Sequence, residues 1–381
     1  LTGIAAATGT TKGQVLLAGS GRNTPDELLE GAATGPISTI GSQAGQSTPM
    51  AAASATLGDA AVVSVVRSTG GPVIALQSQR HFLTRPTAPV LLTPSTGSVS
   101  ALAVNLDFRG DAIVAWASHG TIYAREVAQT GKIGPLQKLG VGSNPQLQVL
   151  ISDDGHAMVA WETQQTSTSA GPSTSIRLSI SAAGVRFGRS RVVESFHDPN
   201  GEAPPAGSLR LLRLSTENVV MAWSGLSSGN YVVYIAPVSL TDGVFNRTIV
   251  SDSGQESVLS DLVGGPHGEA LALWSSPEGV AVPRQQHLFA AMGRYTSQGV
   301  VFDPTESVAP AGPNGPVAAA IDPGDGRALA VWVQSTEHPQ VAYAVRPPDS
   351  SALTSRALHG PKFLGFVLAV TGPANGIDTS W

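Results

Sequence analysis

Four histidines and a group of carboxylates follow the most apolar stretches of this 381-residue chain. They are His119, His197, His287 and His338, with Asp198, Glu202, Glu278 and Glu337, the arginine Arg284, and Glu256 and Glu306 in related segments. Histidine beside carboxylate is the pairing that moves protons near neutral pH, holds a divalent metal or lines a polar binding rim. Spacing separates these chemistries. No His-Glu-x-x-His or comparable ligand spacing occurs, so no metal is expected. Acid–base cleavage of a glycoside needs two carboxyl groups about 5–10 Å apart. Only folding can bring members of His119, Glu278, His287, Glu337 and His338 that close. There is no Gly-x-Ser-x-Gly elbow for a serine nucleophile, no glycine-rich phosphate loop and no cysteine. Disulfides and thiolate chemistry are therefore excluded, and no cofactor is expected.

A second set of polar residues reads as turns. Asp107 and Asp111, Asp153 and Asp154, and Asp322 and Asp325 each flank or precede a glycine, as tight turns require. Weak calcium binding is the sharper alternative, although none of these segments matches an EF-hand loop. Arg109-Gly110-Asp111 spells an integrin-type tripeptide but occupies an ordinary turn of the pattern described next. Asn246-Arg247-Thr248 is an acceptor sequon for N-glycosylation.

The elements that position these groups repeat along the chain. All six tryptophans share one context: a turn, a run of alternating Ala, Val, Leu or Met, then the indole. The sequence from Gly110 to Trp116 is GDAIVAW, from Gly155 to Trp161 GHAMVAW and from Gly326 to Trp332 GRALAVW. Trp223, Trp274 and Trp381 close related segments, and in the same register Gly19 and Ser64 stand where a tryptophan belongs. Successive register positions are 45 to 62 residues apart, the period of a propeller blade. Each unit offers a small, apolar first strand, a Gly/Asp turn, the tryptophan strand, a loop, a third strand and a short fourth one. Third strands are expected at 121–127, 175–181, 231–237, 287–295 and 340–346. The tryptophans, with Tyr123, Tyr234, Tyr343 and Phe289 on third strands, are read as packing between neighbouring sheets rather than as a row of sugar platforms.

The fold expected is all-β: one propeller over 1–381 of four-stranded antiparallel blades. Seven blades are expected, or eight with one incomplete. The units run approximately 1–45, 46–96, 97–142, 143–206, 207–256, 257–314 and 315–360, with a terminal hairpin at 361–381. Thr24-Pro25-Asp26-Glu27 has the form of a helix capping box and predicts a short helix over 25–30.

The Gly-x-Ala-x-Ala-Val-Trp pattern, best seen in 155–161 and 326–332, resembles the repeats of secreted bacterial β-propeller proteins. Ser152-Asp153-Asp154-Gly155 is also distantly similar to the Asp-box of sialidase-like propellers, but its glycine comes one residue early and its aromatic falls too late. The resemblance implies a fold and an extracellular setting, and it brings no catalytic residues with it.

Antiparallel blades put the loops joining second to third strands on one face, together with the links between blades. The longest such segments, 23–35, 162–174, 197–207, 275–286 and 304–315, gather there with the histidines. That face is the expected binding surface, with His119, His197, Asp198, Glu202, Glu278, Arg284, His287, Glu337 and His338 as candidate contacts. The charge of −5 and the absence of a basic stripe argue against nucleic acid. No apolar run is long enough to insert in a membrane as a helix. Starting on Leu1 and stopping on a repeat tryptophan, the sequence reads as a processed piece of a longer secreted or surface protein. The function expected is a secreted or cell-surface module binding a glycan or a protein. A structural subunit that self-associates through its terminal hairpin is a second reading, and a polysaccharide hydrolase or lyase a third.

Overall fold

A computed structural model describes most of residues 3–357, giving the backbone alone for strands up to residue 50. The segments 80–86, 166–171, 198–207, 279–284, 335–339 and 358–381, and several shorter turns, lie outside the described residues. The expected terminal hairpin and Trp381 fall in the last of these.

Every described element is a strand. They form seven antiparallel sheets, each built in chain order from first strand to fourth. The sheets occupy residues 3–43, 50–91, 99–141, 146–197, 210–249, 258–309 and 313–357, and are numbered here in that order. In sheets 5 and 6 the fourth strand comes in two short pieces, both paired with the third. The strand grammar of the sequence is seen directly: third strands run Thr121–Val127, Ser173–Ser181, Asn230–Ser239, Gln285–Thr296 and Gln340–Arg346.

The expected helix over 25–30 is a strand instead, Thr24–Ala32. It pairs on both sides, with Leu17 opposite Leu29 and Leu28 opposite Gly41. A capping box is worth about 1 kcal/mol. Two hydrogen-bonded neighbours along nine residues outweigh it, so tertiary pairing overrides the local signal. Strands also invade the expected long loops. The second strand of sheet 6 reaches Glu278 and the third begins at Gln285, with those two residues opposite each other.

The described residues divide into two compact units, 3–165 with 174–195, and 172–173 with 196–357. In the first, Trp116 of sheet 3 packs with Val63, Ile74 and Leu92 of sheet 2, and Trp161 of sheet 4 packs with Ile113, Ile122 and Leu139 of sheet 3. In the second, Trp274 of sheet 6 joins Ala222, Val233 and Ile235 of sheet 5, and Trp332 of sheet 7 joins Leu271, Leu273 and Leu288 of sheet 6. Each of these four rings therefore fills the space toward the preceding sheet. They are at most 1% exposed. At about 25 cal/mol per Å2, each such ring contributes about 4–6 kcal/mol of transfer free energy. Close approach is built in at Gly140, where a Cβ would lie 2.7 Å from Cζ2 of Trp161. The third-strand aromatics complete the packing in three sheets. Trp116 stacks on Tyr123, Trp223 on Tyr234 and Trp274 on Phe289, with centroids 5.8, 5.7 and 6.4 Å apart. Sheet 7 departs by one register step, since Tyr343 faces Val331 while Trp332 faces Ala342.

Side chains also tie sheet to sheet. In the first unit Ile151 N–H donates to Asn105 Oδ1 at 3.1 Å, and Phe187 N–H to Gln137 Oε1 at 2.7 Å. In the second, Asp261 links three sheets. It receives Nε of Arg210 at 3.2 Å, its neighbour Leu262 N–H at 3.0 Å and Ala319 N–H at 3.0 Å.

Candidate functional site

The described candidate contacts of the loop face belong to sheets 3, 4 and 6. His119 opens a two-residue hairpin turn, where φ is 49° at His119 and 68° at Gly120. Positive φ at both centres marks a type I′ turn, which suits the right-handed strand twist. The imidazole leans over Gly97, where a Cβ would overlap the ring, and its Nδ1 lies 3.2 Å from Ser118 Oγ. His197 is exposed at the end of the fourth strand of sheet 4. His287 is half-buried on the third strand of sheet 6, opposite Ser276, with its ring 6.1 Å from Phe289. Glu278 closes a strand whose end is described by its backbone alone. Asp198, Glu202, Arg284, Glu337 and His338 lie outside the described residues. No cluster of three His, Cys, Asp or Glu suited to a metal occurs among the described residues.

A cleft of about 410 Å3 opens at the other face, between sheets 3 and 4. Its floor and walls come from the four tight turns there and the strand ends that carry them. The first turn, 107–111, is organised by Asp107, which is 1% exposed. Its Oδ1 accepts Arg109 N–H at 2.9 Å and Asp111 N–H at 2.8 Å, and Gly110 supplies φ of 83°. Burial pushes the Asp107 carboxyl upward, with Asp111 adding to the effect and the backbone donors opposing it. Asp111 accepts Gln129 N–H at 2.5 Å and so ties the first turn to the second, 128–132. The third turn, 152–156, is held by Ser152. Its hydroxyl donates to the carboxylate of Asp154 and reaches His156 O at 3.0 Å. His156 Nδ1 stands 2.8 Å from the same carboxylate. Burial acts to raise Asp154, but the hydrogen bonds from Ser152 and His156 outweigh it and leave the carboxyl below its ordinary range. Phe108 N–H donates to Asp153 Oδ1 at 3.3 Å, joining the first turn to the third across the sheet boundary. Ala183 and Gly184, of the fourth turn, close the cleft.

Glu126 brings to this cleft a side-chain oxygen, Oε1, that has no hydrogen-bond partner. It lies near the end of the third strand of sheet 3, opposite Ile113, and lines the cavity. Its Oε1 is buried and accepts no hydrogen bond. Burial raises its carboxyl above the usual glutamate range, and the nearby charge of Asp111 raises it further. A buried acceptor without a donor costs about 1–3 kcal/mol, more when charged. The remaining wall is apolar or small: Ala112, Val127, Ala128, Pro135 and Ile151. Arg109 and Lys132 stand at the rim, with the Arg109 guanidinium 5.2 Å from the ring of the half-exposed Phe108.

The sequence reading passed over Glu126, and the repeat alone does not single it out. In the sheets whose pairing is described, the residue opposite the position three before the register tryptophan is Pro237, Met292 or Val345. Sheet 2 has Ser78 and sheet 1 has Glu30 in that place. A glutamate recurs at this position in sheet 1, so what distinguishes Glu126 is its place on the wall of the cleft with Oε1 buried and unpartnered.

No family model and no curated protein matches the chain. Among solved structures, the chain superposes on a lectin from Burkholderia pseudomallei with TM-score 0.54 and 12% identity, over 93% of this chain and 99% of the lectin. It superposes on a puromycin hydrolase with TM-score 0.51 and 13% identity, covering 93% of this chain and 54% of that one. The chain thus spans about half the length of the hydrolase. It also matches the β-propeller domain of the Trilobed protease from Pyrococcus furiosus, with TM-score 0.47, 8% identity, and 94% and 98% coverage. The fold is a β-propeller. At these identities the likeness concerns fold alone.

Proposed function

We propose that this propeller is a carbohydrate-binding module that takes a saccharide into the cleft between its third and fourth blades. The observation that carries the reading is the Glu126 carboxylate, set unpaired into a cavity of about 410 Å3. Cavities that enclose small ligands span about 300–1,000 Å3, with an apolar lining and a few convergent polar groups. Here alanine, valine, proline and isoleucine offer the apolar wall that the C–H face of a sugar ring needs. Glu126 and Asp111 accept hydroxyl donors, while Arg109 and Lys132 offer donors of their own. The fold-level likeness to a lectin fits this reading. The setting proposed is the cell surface or exterior, which rests on the resemblance of the repeats to secreted propellers. The histidine face, with His119, His197 and His287, is the second candidate surface for the same role.

A glycan array probed with the full chain, followed by calorimetric titration of the hits, tests the reading. Binding that E126A weakens, and that H119A with H197A leaves intact, supports the cleft. Binding that only the histidine substitutions abolish moves the site to the other face. A silent array overturns the carbohydrate reading.

One observation favours a second reading, cleavage of a polysaccharide. A carboxyl raised by burial beside a second carboxylate is how a general acid is kept protonated. Release of reducing ends from a bound polysaccharide, lost in E126Q, would establish it.

A further inference from the structure

The charge arrangement at the base of the cleft says more about the ligand than that it is a sugar. Glu126 makes no ion pair, and the charged group that acts on it is another carboxylate, Asp111. The cations that line the cavity are otherwise placed. Arg109 leans on Phe108, and Lys132 is exposed on the turn 128–132. Asp154, across the cleft, is engaged by Ser152 and His156. The protein thus keeps a half-buried carboxylate in one cavity with a like charge and makes no ion pair to it. A neutral sugar hydroxyl would satisfy one lone pair and leave the repulsion in place. A cationic donor would satisfy the lone pair and screen both carboxylates at once.

We propose that the cleft selects a saccharide bearing a free ammonium group, an amino sugar, with the ammonium seated on Glu126 and flanked by Asp111. This rests on the carbohydrate reading above and specifies the substrate class of the same site. The Oε1 atom of Glu126 is buried, and because the two oxygens of a carboxylate are equivalent about a soft terminal torsion, either can meet the ammonium. The apolar walls at Val127, Pro135 and Ile151 then take the ring, and the rim at Arg109 and Lys132 is left for neighbouring hydroxyls of the chain. A lysine side chain offers the same ammonium. The pocket favours the sugar, because a cleft of about 410 Å3 bounded by four tight turns suits a compact ring better than an extended peptide.

The test uses the full chain at neutral pH in calorimetric titration against three tetrasaccharides: β-1,4-linked glucosamine, its fully N-acetylated form and β-1,4-linked glucose. A lysine-rich peptide is the fourth probe. The glucosamine tetramer is expected to bind at least about tenfold more tightly than the acetylated one, the effect of one charge-assisted hydrogen bond. E126Q is expected to bring the glucosamine affinity down to that of the acetylated sugar, while a thermal melt confirms that the variant is folded. Equal binding of the three sugars overturns this inference and leaves the carbohydrate reading standing. A preference for glucosamine that survives E126Q overturns the assignment to Glu126. Binding of the peptide with none of the sugars overturns both.

Discussion

The packing of Trp161 into the space left by Gly140 gives a prediction whose sign can be worked out from geometry. A methyl group on Gly140 would sit 2.7 Å from Cζ2 of the indole. Carbon atoms prefer about 3.5–4.0 Å, so G140A creates an overlap of about 1 Å in a filled core. Trp161 is 0% exposed and is held by Ile113, Ile122, Leu139 and Leu147, which leave the ring little room to move. Overpacking of this kind costs about 1–3 kcal/mol. W161L alone should cost about 3 kcal/mol or more, as large-to-small changes in cores do. The indole Nε1 has no hydrogen-bond partner, so that loss comes from packing alone. In the double variant the methyl group enters space that the ring has vacated. The cost of G140A should then fall to nearly zero, giving a favourable coupling of about 1–3 kcal/mol. Urea unfolding followed by far-UV circular dichroism measures all four proteins. Additivity within about 0.5 kcal/mol would refute the claim that Gly140 is small because of Trp161.

Three further outcomes are expected. D261A should destabilise by about 2–4 kcal/mol in urea unfolding, because it removes the acceptor of Arg210, Leu262 and Ala319, and D261N by roughly half as much, because one acceptor oxygen survives. E126Q should melt at a higher temperature than the parent at pH 7. The folded state raises this carboxyl, so its ionisation costs stability as pH climbs above the ordinary value of 4.5, and calorimetry should show the advantage vanishing below that pH. D107A should cost about 1–3 kcal/mol by thermal or urea melts through loss of two backbone hydrogen bonds, whereas D107N, which keeps the accepting oxygen, should stay within about 1 kcal/mol.

The sheets were legible because their signal is repeated. Thr121–Val127 and Gln340–Arg346 are third strands to the residue, and the tryptophan register aligns the second strands around them. The helix expected over 25–30 misled because a capping box is a local preference, while Thr24–Ala32 is decided by strands on both sides. The candidate site was harder. Attention went to histidines in loops, since loops commonly carry function. The cleft, a further candidate, is made by short turns that read as turns, together with one glutamate inside a strand. Alternation within Thr121–Val127 disposes of Glu126 as an ordinary strand residue. Its burial and its closeness to Asp111 depend on how sheet 4 lies against sheet 3, which no single repeat encodes.

The turns that build the cleft stabilise themselves. Asp107 caps its own loop, Ser152 and Asp154 lock theirs, and the sheets beneath are held by tryptophans elsewhere. Under the proposed reading, core packing and ligand contact fall largely to different residues of sheets 3 and 4. Duplicated units can drift in their turn residues while the core stays fixed. The same separation makes the pair portable. The turns 107–111, 128–132, 152–156 and 183–184, carried with Glu126 onto the matching positions of another adjacent pair of blades, should rebuild the cavity there without redesign of the sheets.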